Sequence, residues 1–320
     1  MTDNADNTST HLLEEDTPYT TRKPVDEPSN IDISFASKDE IYKKLVADTS
    51  SAQVILEKDI SPQDIIIMVM GPTGTGKTSF IRGAVGNGTT EEEDPKLQLH
   101  VGHRLDSKTN VVTCVKIPIP TTKQNFVLVD TPGFDDGAKS DAKVLECIAD
   151  WLKSTYKRGI CLSGIIYLHR INDIRLDTGV QNTLTLFQRI CGGFVFNRIN
   201  LVTTMWNEVP PERGEIKEKQ LVDSKYWQPM TRRGDGKRGA FVTRFNMTTV
   251  EQARETALEA MWKLAGRADR KMVLLLQQEL VDDKKSLPKT QAGQMTYSVW
   301  SGALFRAKEF FTKDKEEAKE

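Results

Sequence analysis

From Ile65 onward the chain alternates short apolar runs with longer amphipathic stretches. Ile65–Met70 (IIIMVM) is apolar without interruption, the pattern of a strand covered on both faces in a parallel sheet. Residues 111–119 and 126–129 predict two more strands. An amphipathic helix follows over 141–156, with Val144, Leu145, Ile148, Trp151 and Leu152 on one face. The alternation continues as strand 164–169 (GIIYLH), helix 179–190, strand 200–204, a largely helical stretch 212–227, strand 240–245 and a closing helix 250–265. Strands interleaved with helices in this way predict an α/β fold: a mainly parallel six-stranded sheet with helices on both faces.

The ends read differently. Residues 1–60 are rich in Asp, Glu, Asn, Ser, Thr and Pro, and are expected to be mostly a disordered polar arm, with a short helix within Ile41–Leu56. The main domain is expected over 61–266 and a helical extension over 267–320. In that extension Met272, Leu275, Leu276 and Leu280 give Asp269–Val281 an apolar face. Trp300, Ala303, Leu304, Ala307, Phe310 and Phe311 repeat at helical spacing beside Lys308, Lys313 and Lys315. Packing on the main domain or on a helical partner is the plain reading. Peripheral membrane contact is the alternative, weakened by Glu309, Asp314 and Glu316.

Composition narrows the class. With 320 residues the chain holds one large domain and appendages, and a formal net charge of −1 gives no global field for nucleic acid or anionic lipid. Cys114, Cys147, Cys161 and Cys191 lie far apart, in neither metal-binding nor disulfide spacing, which points to a reducing compartment. MTDNADNTST has no apolar targeting segment, and no run is long enough to span a bilayer, so a cytoplasmic location is expected. The basic stretch Thr231–Arg238 (TRRGDGKR) reads as an exposed turn before the last strand rather than a polyanion site.

The chemistry starts at Gly71–Thr78. GPTGTGKT matches the phosphate-binding loop G-x-x-x-x-G-K-[ST] and sits between a buried strand and a helix beginning with Ser79, Phe80 and Ile81. In that setting Gly71, Pro72, Thr73, Gly74, Thr75 and Gly76 form a nest of backbone N–H groups, with the helix N-terminus adding positive charge. Lys77 is expected on the β- and γ-phosphates, and Thr78 on Mg²⁺. A second motif, FVLVDTPG (126–133), ends a strand in Asp130. An aspartate there holds Mg²⁺, usually through water, and Gly133 can donate its N–H to the γ-phosphate.

On these two motifs the chain resembles the translation-factor-related GTPases. Within them it looks closest to the septin, immunity-associated and chloroplast-import-receptor branch, and more narrowly to fungal GTPases of unknown role; the likeness covers about 65–245. It implies guanine nucleotide, GTP or GDP, as ligand and Mg²⁺ as cofactor. It also implies a threonine in the long polar loop 86–110 that reaches metal and γ-phosphate. Thr109 is assigned that role, with Thr113 second. Small GTPases carry a water-orienting glutamine after the DxxG glycine; here it is Phe134, as in relatives that hydrolyse slowly and use a partner. Slow intrinsic turnover and a nucleotide-dependent homodimer are therefore expected.

At the end of the fourth strand, His169 and Arg170 could meet the nucleotide edge or a second protomer. Arg175 reads as a solvated loop residue, or else as an arginine finger in trans. The base motif [NT]-K-x-D aligns with Thr204-Met205-Trp206-Asn207, so lysine is absent and asparagine replaces aspartate. Asparagine offers one acceptor and one donor where carboxylate offers two acceptors. Guanine preference is then weakened unless Glu208 or the backbone compensates; Trp206 could stack on the base or simply pack, and Thr243-Arg244-Phe245 falls at the last base contact. Three readings follow: a Mg²⁺-dependent GTP-hydrolysing switch, a catalytically weak scaffold that assembles with nucleotide, or an ATP-using P-loop enzyme.

Overall fold

The computed structural model describes residues 35–48, 52–86, 112–134, 138–173, 178–232, 238–267 and 272–298. Thr109, Arg175, the loop 87–111 and the amphipathic stretch 300–311 lie outside the described residues.

Seven strands form one sheet: β1 (Gln53–Ile55), β2 (Ile65–Met70), β3 (Thr113–Pro118), β4 (Asn125–Asp130), β5 (Gly164–Arg170), β6 (Ile199–Thr204) and β7 (Phe241–Arg244), in the order β1-β3-β4-β2-β5-β6-β7. Strands β4, β2, β5, β6 and β7 run parallel, whereas β3 is antiparallel to β4 and to β1. The six expected strands are all present; β1 is a seventh, short edge strand. β2 is central, which is why its six residues are all apolar and all buried. Ile65, Ile67 and Val69 point into one core, and Ile66, Met68 and Met70 into the other. The alternation of side chains along a strand divides even an unbroken apolar run between two layers.

Helices cover both faces. On one lie α2 (Lys77–Val85) and α7 (Val250–Ala265), packed through Phe80, Ile81, Ala253, Ala257 and Leu258. On the other lie α3 (Ala138–Lys157) and α4 (Thr178–Cys191). The expected helix 212–227 is α5 (Pro211–Val222), which ends before a short α6 (Gln228–Thr231) whose preceding Trp227 is fully buried.

Part of the polar arm folds onto this domain. Helix α1 (Phe35–Ala47) places Ile41 and Leu45 in the α2/α7 core, and the chain then turns into β1, so the short helix expected within 41–56 gives way to helix plus strand. The reason lies in α7. Arg254 donates to the carbonyls of Leu45, Val46 and Asp48 at the end of α1, and to Ala84 at the end of α2. A buried guanidinium thus satisfies carbonyls that two helix C-termini leave without intrahelical partners.

The extension is not one helix over 269–281. Met272 pairs with Leu162, an α-turn Leu275–Gln277 runs into a π-turn Gln278–Asp282, and a further helix follows over 291–298. Met272, Leu274, Leu276, Leu280 and Ala292 enter the α3/α4 core. Among the described residues no helix is long and apolar enough to cross a membrane.

Candidate phosphate and metal site

The two motifs meet at the carboxyl edge of the sheet because β2 and β4 are neighbours in parallel register, with Val69 opposite Asp130. The loop after β2 requires glycine. Gly71, Gly74 and Gly76 all have positive φ, and a Cβ on Gly71 would lie 2.5 Å from the Leu168 carbonyl oxygen. Pro72–Thr75 is closed internally: the Thr75 hydroxyl donates to Pro72 O at 2.8 Å. Lys77 opens α2 and its Nζ donates to the carbonyls of Gly71 (3.0 Å) and Pro72 (2.9 Å), so the ammonium lies across the cradle. Ser79, the third residue of α2, is half-buried.

The DTPG segment closes on this cradle. The Thr131 hydroxyl donates to Val69 O at 2.7 Å, and the Thr73 N–H donates to Phe134 O at 2.8 Å. Gly133 therefore lies flat against the loop. A Cβ there would be 2.7 Å from Thr73 Cα and 2.8 Å from Lys77 Nζ, closer than packed atoms come. The Phe134 ring is buried in the core beneath.

Thr78 and Asp130 form the other half of the site. The Thr78 hydroxyl donates to Asp130 Oδ2 at 2.9 Å, while Asp130 Oδ1 is buried and has no hydrogen-bond partner among the described residues. Burial pushes the Asp130 carboxyl up to about 6, against the pull of Lys77, Thr78 and the Thr131 N–H. A buried carboxylate oxygen left unpaired is costly. A hydroxyl and a carboxylate side by side suit Mg²⁺, which binds through one or two protein oxygens and fills its shell with phosphate and water. The donors present thus fit the ion. Thr113, the second choice for the loop threonine, is the first residue of β3 and stands opposite Asp130.

The expected base segment divides between two sides of the sheet edge. The Thr204 hydroxyl, buried, donates to Thr75 O at 3.0 Å and so ties β6 to the phosphate loop. Met205 is left-handed (φ 62°), and its Cε is 3.8 Å from where a Cβ on Gly76 would be. Asn207 is exposed in the following 3-10 turn. Trp206 packs away from the cradle: its ring lies against Gly214, its Nε1 donates to the Thr203 hydroxyl, and Arg244 stacks on it at 4.2 Å while pairing with Glu218. Phe245 is buried against Phe80. Glu208 accepts from Asn172. Trp206, Arg244, Phe245 and Glu208 thus each have a partner outside the cradle.

His169 also turns inward. Its imidazole is buried edge-on to Trp227, its pKa pushed down to about 4 by burial and by Arg170 and Lys217. Only its carbonyl reaches the site, accepting a long bond from the Thr204 hydroxyl. Arg170 is the strand-end residue that reaches the cradle, its Nη1 3.4 Å from a Cβ position on Gly74. Strand alternation carries the signal for this: Ile166 and Leu168 share Arg170's face, whereas Tyr167 shares that of His169. Lys217, which sequence reasoning passed over, braces the loop behind Arg170 by donating to the carbonyls of Ile171, Asn172 and Asp173. A surface lysine on a polar helix carries no signal for such a role.

No protein-family model and no curated protein matches the chain. Among solved structures it is similar to Toc33 from Arabidopsis thaliana in complex with Mg²⁺ and GMPPNP, at 14% identity over 75% of this chain and 96% of that one, with a TM-score of 0.49. It is also similar to translation elongation factor SelB from Methanococcus maripaludis with the GTP analogue GPPNHP, at 10% identity, covering 66% of this chain and 35% of that one (TM-score 0.39). Era in complex with MgGDPNP and a 16S ribosomal RNA segment matches at 12% identity, covering 63% and 56% (TM-score 0.41).

Proposed function

We propose that this chain is a guanine-nucleotide-binding protein that takes GTP or GDP with Mg²⁺ and hydrolyses GTP slowly, as a switch or a nucleotide-regulated assembly protein. One observation carries the reading. The glycine cradle crossed by Lys77 lies against Gly133 on one side, and beside it sit the Thr78 hydroxyl and the unpaired oxygen of Asp130. Backbone N–H groups and one ammonium are what a polyphosphate chain requires.

In this reading the cradle and Lys77 bind and orient the β- and γ-phosphates, and Lys77 balances charge that develops on the transferred phosphoryl group. Gly133 offers its N–H to the γ-phosphate and Thr109 supplies a further ligand from the polar loop. Thr78 and Asp130 would hold Mg²⁺, which when bound neutralises phosphate charge. Phe134 supports a slow rate, because its ring is buried and its carbonyl is taken by Thr73, so no side chain at that position orients water. We place this activity in a domain over 61–266, in a reducing, cytoplasmic setting, and assembly into a homodimer belongs to the same proposal. Single-turnover hydrolysis of GTP, with size-exclusion chromatography in GDP and in a non-hydrolysable analogue, tests the rate and the assembly. Many turnovers per second by a monomer would overturn it.

A second reading, use of ATP, is favoured by Asn207 alone, whose amide meets adenine as readily as guanine. Competition of labelled GTP by ATP decides between them.

A further inference from the structure

We infer that Arg170 is a second cationic contact to the bound nucleotide, on the flank of the phosphate loop opposite Gly133; this rests on the nucleotide reading above. The sheet order places β4 and β5 on either side of β2, so the loops that follow them border opposite flanks of the cradle. Gly133 comes from the β4 side and abuts Thr73 and Lys77 Nζ. Arg170 comes from the β5 side, and its guanidinium lies against Gly74.

The side chain is held there rather than swinging in solvent. Its backbone is fixed by register with Thr204 and by the Ile171 N–H, which donates to Thr204 O at 2.9 Å. The turn beyond it is clamped by the three carbonyl contacts of Lys217 and by Asn172 on Glu208. Its own charge is matched by Asp173, with Arg170 Nε 3.0 Å from Asp173 Oδ1, and about a third of the arginine side chain stays exposed. That contact is an ion pair without the alignment of a hydrogen bond, and a planar guanidinium held in it still presents N–H donors to a phosphate. After Thr204 comes Met205, an uncharged residue, beside Gly76, so among the described residues Arg170 is a cation placed to serve the pyrophosphate on this flank. Because Lys77 and Gly133 mark the other flank, Arg170 serves the part of the ligand common to di- and triphosphates.

The test uses the full chain with Mg²⁺ and fluorescent N-methylanthraniloyl derivatives of GDP and GTP. Arg170→Ala is expected to weaken both about tenfold, the size of one lost charge-assisted hydrogen bond. The loss shrinks as KCl rises, and Arg170→Lys restores part of it. Circular dichroism and melting temperature establish that each variant is folded. Unchanged affinity for both nucleotides overturns the inference, and so does a loss confined to the triphosphate, which would put the guanidinium on the γ-phosphate. If Arg170→Ala does not fold, Asp173→Asn reads the same contact: freed from its carboxylate, the guanidinium should tighten both nucleotides about threefold at low salt. No change, or weaker binding, overturns it. Wild-type protein that binds neither nucleotide removes the nucleotide reading itself. Binding that survives in Arg170→Ala and disappears in Lys77→Ala removes only the role of Arg170.

Discussion

A methyl group on Gly133 is the smallest change that separates the two halves of the site. It would meet Thr73 and Lys77 Nζ at under 3 Å, so the DTPG segment must lift away from the cradle. Gly133→Ala is expected to weaken GTP binding at least tenfold and GDP binding less, and to lower the melting temperature as the Thr73–Phe134 hydrogen bond is strained; equal affinities measured by fluorescence titration would refute the placement. A second residue-scale prediction concerns pH. His169 is depressed to about 4 from 6.5, so the unfolded chain binds the proton more readily, and stability falls as pH drops from 6.5 to 4, by about 3 kcal/mol. Asp130, raised to about 6 from 3.8, acts with the opposite sign: its buried charge costs stability above pH 6, and the cost is relieved on acidification. The two nearly cancel in the native chain. Asp130→Asn should therefore expose an acid loss of stability in urea titrations between pH 6.5 and 4, and His169→Gln should leave a stability that rises over the same range as pH falls. Legibility at this scale was uneven for physical reasons. The cradle and Asp130 could be read from spacing, since glycine, lysine and aspartate have few substitutes there. The direction of His169 and Trp206 could not be read from residue type, because imidazole and indole serve an interior as well as a ligand.

At the scale of elements, two charged side chains attach segments that the apolar pattern leaves ambiguous. Arg254 binds the ends of α1 and α2 to α7. Arg254→Ala leaves buried carbonyls unpaired and is expected to cost about 2–4 kcal/mol, with α1 released first. Hydrogen exchange should show protection lost at residues 41–47 before the sheet opens; loss of the whole domain at once would contradict this order. Glu279, buried, accepts from the Gln291 N–H and from Lys285, and so joins the π-turn to the helix over 291–298. Glu279→Gln keeps the shape and should cost about 1–2 kcal/mol in chemical unfolding, less than Glu279→Ala. The strands were legible because an apolar run between turn formers has few other uses. The arm and the extension were not, because their contacts are long-range: a polar helix docks only when an arginine more than two hundred residues away meets its carbonyls. No local period encodes that.

For the whole molecule, the sheet order explains why two loops separated in sequence define one cradle. β2 lies between β4 and β5, so the loops after all three converge at one edge, as ligand sites do on open α/β sheets. The central claim is that this edge holds a Mg²⁺-bound nucleoside polyphosphate through main-chain amides and Lys77. Isothermal titration calorimetry of the folded chain with GTP and GDP, each with and without Mg²⁺ and repeated on Lys77→Ala, tests it most directly. The account predicts one-to-one uptake that Mg²⁺ strengthens and that Lys77→Ala weakens at least a hundredfold, about 2.7 kcal/mol. No heat from either nucleotide at millimolar concentration, or uptake indifferent to the loss of the lysine, would contradict it.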